Sequence, residues 1–232
     1  CDWSSDVCSS DLENMMQEEK QKYYKHLKKG HHEPIIKEDL LEDIRQGNFI
    51  VCFVPKMDVT TEEVVGAEAI VRYHHKDLGI MNPGKYITLL EETKLSHYLD
   101  MYVFEQVCKT LRHWETEDMP MLPVSVNFSE TTLVQEGIIE KMMSLVEEYH
   151  VSCEYLEVEL SESYVSMSQG MLAETSDKIR KGNIRVTLDH FGAKDSSFSI
   201  LSMMEFDGLK LDRSLITNIV GNKRSQITAR AV

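Results

Sequence analysis

No stretch of this sequence is apolar over the roughly 18 residues that a bilayer-spanning helix needs, so no membrane segment is expected. No basic segment followed by an apolar one opens the chain, so no signal peptide is expected either. Positive charge is short: 25 Lys and Arg stand against 39 Asp and Glu, a formal net charge of −14. A field of that sign repels phosphate backbones, which argues against a nucleic-acid partner. A small anion can still bind where cations or a metal compensate locally. None of the five cysteines, Cys1, Cys8, Cys52, Cys108 and Cys153, forms a CxxC pair. The last three fall in apolar stretches and read as small buried thiols of a protein kept in a reducing cytoplasm. No internal repeat or low-complexity segment stands out.

What is present is ordinary for a globular domain: 232 residues, 42% hydrophobic and 28% charged, enough for one sizeable core. Residues 1–12 (CDWSSDVCSSDL) have neither helical nor strand period and resemble a translated sequencing adapter, with a disordered tail as the alternative. Residues 13–35 are charged and helix-prone and read as a linker helix. A second helix is expected from Ile36 to Arg45, stopped by Gly47. From Phe49 onward short apolar strands alternate with helices. The strands are expected near 49–55, 64–72, 122–128, 155–160, 184–189 and 207–211, and the helices near 83–93, 97–115, 137–149, 170–181 and 197–204. Asn82-Pro83 opens one helix, Ser96 caps the next, and Gly182 ends another after Arg180 and Lys181. Alternation of this kind implies a mostly parallel sheet.

The strands have two unlike faces. Side chains alternate with period two. Val124, Val126 and Phe128 oppose Ser125, Asn127 and Ser129; Leu156, Val158 and Leu160 oppose Glu157 and Glu159. Ile184, Val186 and Leu188 oppose Arg185, Thr187 and Asp189; Leu209 and Leu211 oppose Lys210 and Asp212. In the second strand Val65, Ala67, Ala69 and Val71 oppose Glu68 and Arg72. A TIM-like (β/α) barrel accounts for this, with the apolar phase under outer helices and the polar phase turned inward near the C-terminal strand ends, where such barrels place their sites. Glu68, Arg72, Asn127, Glu159, Asp189, Lys210 and Asp212 would then meet in one interior. Unpaired charge is costly to bury, so so many charged groups in one phase point to a site. Carboxylates with an amide oxygen are hard donors suited to Mg²⁺, Mn²⁺ or Ca²⁺, and Arg72 and Lys210 beside them suit a phosphate.

Five segments then carry a resemblance. Gly66-Ala67-Glu68-Ala69-Ile70-Val71-Arg72, Val126-Asn127-Phe128-Ser129, Glu159-Leu160-Ser161-Glu162-Ser163, Asp189-His190-Phe191-Gly192 with Ser196-Ser197, and Leu209-Lys210-Leu211-Asp212 occur in this order. Together they resemble the signature segments of the EAL-domain cyclic-di-GMP phosphodiesterases, over the stretch from about Phe49 to the end. The resemblance implies a (β/α)8 barrel with one strand, 49–55, reversed. It implies hydrolysis of cyclic-di-GMP to linear pGpG with Mg²⁺ or Mn²⁺ as cofactor. It also implies roles. Glu68, Asn127, Glu159 and Asp189 match ligands of a first metal, and Lys210 matches the lysine that positions the attacking water. Arg72 and Asp212 match substrate-contacting positions, and Glu162 matches a glutamate that braces the loop after Asp189.

Departures are as informative. His190 stands where the family has a second aspartate that binds a second metal, and reads either as a replacement ligand or as a neutral loop residue. Val54 replaces a glutamine, and Ala193-Lys194-Asp195 replaces Thr-Gly-Tyr. The stretch from Phe49 to Val232 is shorter than the ~250 residues of a typical complete barrel, so the last two strands are expected to be missing. The expectation is therefore an incomplete barrel over 36–232 with weak or lost hydrolysis. The alternatives are a cyclic-di-GMP sensor and a protein-interaction module. By family analogy the partners would include an upstream diguanylate-cyclase-like domain and a second copy in a homodimer, the latter disfavoured by Lys194 and Asp195.

Overall fold

The computed structural model describes residues 37–231 apart from 76–78, 82, 163–168, 194–196 and 218. These all belong to the unit Ile36–Val232. The expectations for 1–35, the Asn82 cap, Ser163 and the 194–196 loop lie outside the described residues.

Helix α1 (Lys37–Arg45) carries Glu38 and Asp39 in its first turn and Arg45 in its last, each at the end whose dipole it complements. Gly47 leaves it at a left-handed φ of 73°. The chain then forms an antiparallel hairpin of β1 (Phe49–Met57) and β2 (Val64–His75), in register from Phe49↔Tyr73 to Lys56↔Gly66 and shifted by one residue at Met57↔Val64. Asp58 Oδ1 closes the hairpin turn by accepting from the amides of Thr60 and Thr61. A short strand β3 (Gly79–Met81), absent from the sequence expectations, adds antiparallel to the far end of β2. Helices α2 (Pro83–Glu92) and α3 (Ser96–Thr116) follow. Then come β4 (Val124–Phe128), α4 (Glu130–Leu133), α5 (Ile138–Tyr149) and β5 (Leu156–Ser161). The remainder is α6 (Gln169–Lys181), β6 (Arg185–Phe191), α7 (Ser197–Met203), β7 (Gly208–Leu211), α8 (Arg213–Ile216) and α9 (Lys223–Ala231). No described helix is long and apolar enough to cross a membrane.

The core forms where the expected apolar phases meet the helices. Val124, Val126, Leu156, Val158, Val186 and Leu188 are sealed from solvent. Helix α3 lays Leu99, Val103, Phe104, Val107 and Leu111 along one buried stripe at helical spacing, with Phe104 edge-on to Phe128 at 5.8 Å. Of the cysteines, Cys108 is buried as expected, while Cys52 and Cys153 are half-exposed free thiols. Ser96 does not cap α3. Leu95 holds the cap position without a side-chain bond, and Ser96 is the first helical residue, its buried hydroxyl unpaired.

The strands form one curled sheet. Its order is β1-β2-β4-β5-β6-β7, with β2 to β7 parallel along this path and β1 and β3 reversed against β2. The reversed first strand agrees with the reading of 49–55. The barrel, however, is not closed: among the described residues β1 pairs only with β2 and β7 only with β6, so the sheet keeps two free edges. It is nonetheless strongly curled. Strands β2 and β7 stand four places apart, about 19 Å in a flat sheet, yet Lys210 of β7 reaches Glu68 of β2 at 2.8 Å. Such contact across the concave face requires the sheet to roll up. Leu209 and Ile216 stay partly exposed because they belong to the free edge at β7 and the helix after it.

Candidate active site on the concave face

Parallel pairing sets the site. Asn127 of β4 is in register with Glu159 of β5, and Ser161 of β5 with Asp189 of β6, so the oxygen donors stand side by side near the C-terminal strand ends. Curling brings β2 and β7 to the same place. Lys210 Nζ lies 2.7 Å from Glu159 Oε2, 2.8 Å from Glu68 Oε2 and 3.8 Å from Asp189 Oδ2. Asn127 Nδ2 donates to Glu68 Oε1 at 2.9 Å. The sequence-derived set Glu68, Asn127, Glu159 and Lys210 is thus one hydrogen-bonded cluster, with Asp189 joined to it by the longer ion pair to Lys210.

Glu159 is its centre, and its side chain has no exposed surface. Burial by itself would push its carboxyl up. Hydrogen bonds from Lys210 and Ser125, and the charges of Lys210 and Lys56, outweigh that and hold it below the ordinary glutamate value. Burial likewise works against the Lys210 ammonium, and its bonds to Glu159 and Glu68 more than compensate, leaving it well above the ordinary lysine value. Glu159 and Lys210 therefore favour their charged forms and hold each other in them.

His190 occupies a left-handed φ of 57°, a conformation non-glycine residues seldom adopt outside functional or turn positions. Its ring is mostly exposed and lies between two carboxylates, Nδ1 at 3.2 Å from Asp212 Oδ2 and Nε2 at 3.5 Å from Asp189 Oδ2. Asp212 also caps α8 by accepting from Ser214 N, which, with His190, holds its carboxyl below the usual range. Glu162 is buried and its Oε2 accepts from the amides of Gly192 and Ala193, at 2.9 and 3.1 Å. Arg72 lines the same cleft, and its Nη1 donates to Val71 O at 3.1 Å.

The cleft has a volume of about 390 Å³ and runs from these carboxylates past Arg72 towards Ile87, Leu99 and Asp100 on α2 and α3. Asp100 was not legible in the sequence, since a lone acid in a helix carries no spacing signal. Its Oδ2 accepts from Ser129 N, Ser129 Oγ and Thr132 Oγ1, so it fixes the turn that follows Asn127. Although part of its surface faces the cleft, loss of water pushes its carboxyl up to about 6, against the pull of the Ser129 and Thr132 donors. A raised native pKa means that the fold holds a proton the unfolded chain has released, between about pH 4 and pH 6. Asp100 therefore favours the fold below that window and loses the contribution as pH rises through it. Asp100→Asn is expected to remove this slope, which denaturant melts at pH 4, 5, 6 and 7 would register; unchanged slopes would contradict the assignment.

Among the described residues no three or more His, Cys, Asp or Glu side chains surround a common point suited to a metal ion. The carboxylates close on the Lys210 ammonium instead. The donor set itself, three carboxylates and an amide, is all oxygen and fits a hard divalent cation rather than zinc.

A mixed α/β domain with an acidic, lysine-centred cluster at its parallel strand ends is the class these features define. The family model for the EAL domain matches residues 37–232, and the chain belongs to that family. It is 26% identical over 184 residues to a cyclic di-GMP phosphodiesterase of Pseudomonas aeruginosa, covering 79% of this chain and 31% of that protein. It is 25% identical over 197 residues to cyclic di-GMP phosphodiesterase NbdA of the same organism, covering 85% of this chain and 25% of that one. The chain thus spans less than a third of the length of these relatives. Its fold superposes on the PaMucR phosphodiesterase, solved as a c-di-GMP complex, with a TM-score of 0.76 at 20% identity, covering 84% of this chain and 79% of that chain.

Proposed function

We propose that this chain is a cyclic-di-GMP phosphodiesterase domain, of the kind that hydrolyses cyclic-di-GMP to pGpG with Mg²⁺ or Mn²⁺, whose own hydrolysis is weak or lost. The observation that carries the reading is the convergence of Glu68, Asn127, Glu159 and Asp189 on Lys210. A divalent cation held by these four would supply charge stabilisation and an activated water. The chain's own groups do the rest. Lys210, kept protonated, orients the attacking water and neutralises the carboxylates. Arg72, which lines the cleft, and Asp212, beside His190, bind the substrate, Arg72 through a phosphate oxygen. Glu162 braces the loop that carries Asp189 and His190. The curled sheet is read as most of a (β/α)8 barrel. Cytoplasmic location and an upstream diguanylate-cyclase-like domain are parts of the same proposal, while Lys194 and Asp195 weigh against a homodimer.

His190 favours the weakened reading. Its ring nitrogens are engaged by Asp189 and Asp212, so a group that is a poor Mg²⁺ ligand stands between two carboxylates. The second reading, a sensor that binds cyclic-di-GMP without cutting it, rests on the same residue. The test is turnover with Mn²⁺ together with calorimetric binding of cyclic-di-GMP. Binding with slow pGpG release is expected, and His190→Asp should raise turnover by about tenfold or more. Rapid pGpG formation by the unmodified chain would overturn the weakened reading. Binding with no turnover in either protein would leave the sensor, and silence in both assays would leave an interaction module.

A further inference from the structure

On the concave face, charges alternate in sign along one unbroken series. Arg185 Nη2 lies 3.4 Å from Glu157 Oε2, and Lys56 Nζ lies 3.0 Å from both Glu157 Oε1 and Glu159 Oε1. Beyond Glu159 the series continues through Lys210 to Glu68. Each carboxylate oxygen of Glu159 is therefore taken by a different ammonium, Oε1 by Lys56 and Oε2 by Lys210. Lys56 comes from β1, which runs against the parallel strands. It escaped the sequence reading because β1 extends to Met57, two residues past its expected end.

We propose that Lys56 is a positioning residue for the metal ligand Glu159. By holding Oε1 it keeps Oε2 turned towards Lys210, Glu68 and Asn127, where a divalent cation would take it. This rests on the reading of Glu159 as a metal ligand. Glu157 and Glu159 stand two residues apart on one face of β5, both with little or no exposed side chain. Lys56 is the bridge that lets them lie parallel. Without it Oε1 loses its partner, and Glu159 folds both oxygens onto Lys210, the cation still in reach. An opposing effect exists, since deleting a nearby positive charge favours a metal by Coulomb's law. Lys56 keeps about a third of its side chain in water, at 31% exposure, so that field is screened, whereas the loss of orientation is not. Orientation therefore decides the sign. Losing a partner that holds a metal ligand costs roughly 10–100-fold in metal affinity.

The test is calorimetric titration of Mn²⁺ into the full chain, beside Lys56→Arg, Glu157→Gln and the double variant Lys56→Met with Glu157→Gln. The double variant deletes one charge of each sign and so should keep its fold, which a circular-dichroism melt checks. The expected result is Mn²⁺ affinity roughly 10–100-fold lower in the double variant, a smaller loss in Glu157→Gln, and retention within a few-fold in Lys56→Arg. A parent that binds Mn²⁺ and a folded double variant that binds as tightly or more tightly would overturn the positioning role alone. A parent that does not bind Mn²⁺ would overturn the metal reading, and this role with it.

Discussion

Replacing Glu159 with alanine is expected to destabilise the domain by about 3 kcal/mol and to abolish Mn²⁺ binding. The carboxylate is fully enclosed and shared by two lysines, so its loss takes one counter-charge from each, leaving Lys56 with Glu157 and Lys210 with Glu68. Breaking a fully buried pair costs about 3–5 kcal/mol. Both lysines keep some contact with water, at 31% side-chain exposure, which places the cost at the low end of that range. Urea unfolding would measure it. A double-mutant cycle gives a sharper check, because adding Lys56→Met removes one of the two lysines that lost a partner. The double variant should recover part of the lost stability while still failing to bind Mn²⁺. Strict additivity of the two changes would contradict the shared-carboxylate picture.

Gly192→Ala is expected to cost about 2–5 kcal/mol, for two separable reasons. The residue sits at φ 89°, where an L side chain is strained by about 1–2 kcal/mol. An added Cβ would also meet Leu215 Cδ1 at 2.2 Å, so Leu215 must move, and overpacking of that kind costs about 1–3 kcal/mol. Leu215→Ala in the same chain should relieve the second part and not the first. The amide of Gly192 is also one of two that Glu162 holds. Displacing it should shift the Asp189–His190 turn and weaken cyclic-di-GMP binding along with stability. A thermal melt that matches the parent would show that the loop adapts without cost.

The polar phase of the strands was legible because period two is a local property of extended backbone. Glu68, Asn127, Glu159, Asp189 and Lys210 could therefore be named from the sequence, and they do meet. Glu162 could be named only by resemblance, since nothing in its own spacing says that it accepts from Gly192 and Ala193. Helix α8 and strand β3 were missed because elements of three or four residues carry too few positions to show a period. Asp100 and Lys56 were missed for a different reason: their partners lie 29 to 103 positions away along the chain.

By itself the sequence determined the alternation of strand and helix, the reversed first strand, and which face of each strand is acidic. Each of these follows from short-range patterning or from segment-by-segment resemblance. Only the tertiary structure decided that the sheet remains open among the described residues, and how far it nonetheless curls. Curvature is set by many strand pairs at once, and no single strand encodes it. It is also what brings Lys56 and Lys210 from the two edge strands to opposite oxygens of Glu159. The sequence could name the carboxylates of the site and Lys210, but not Lys56, which holds the other oxygen of the central one.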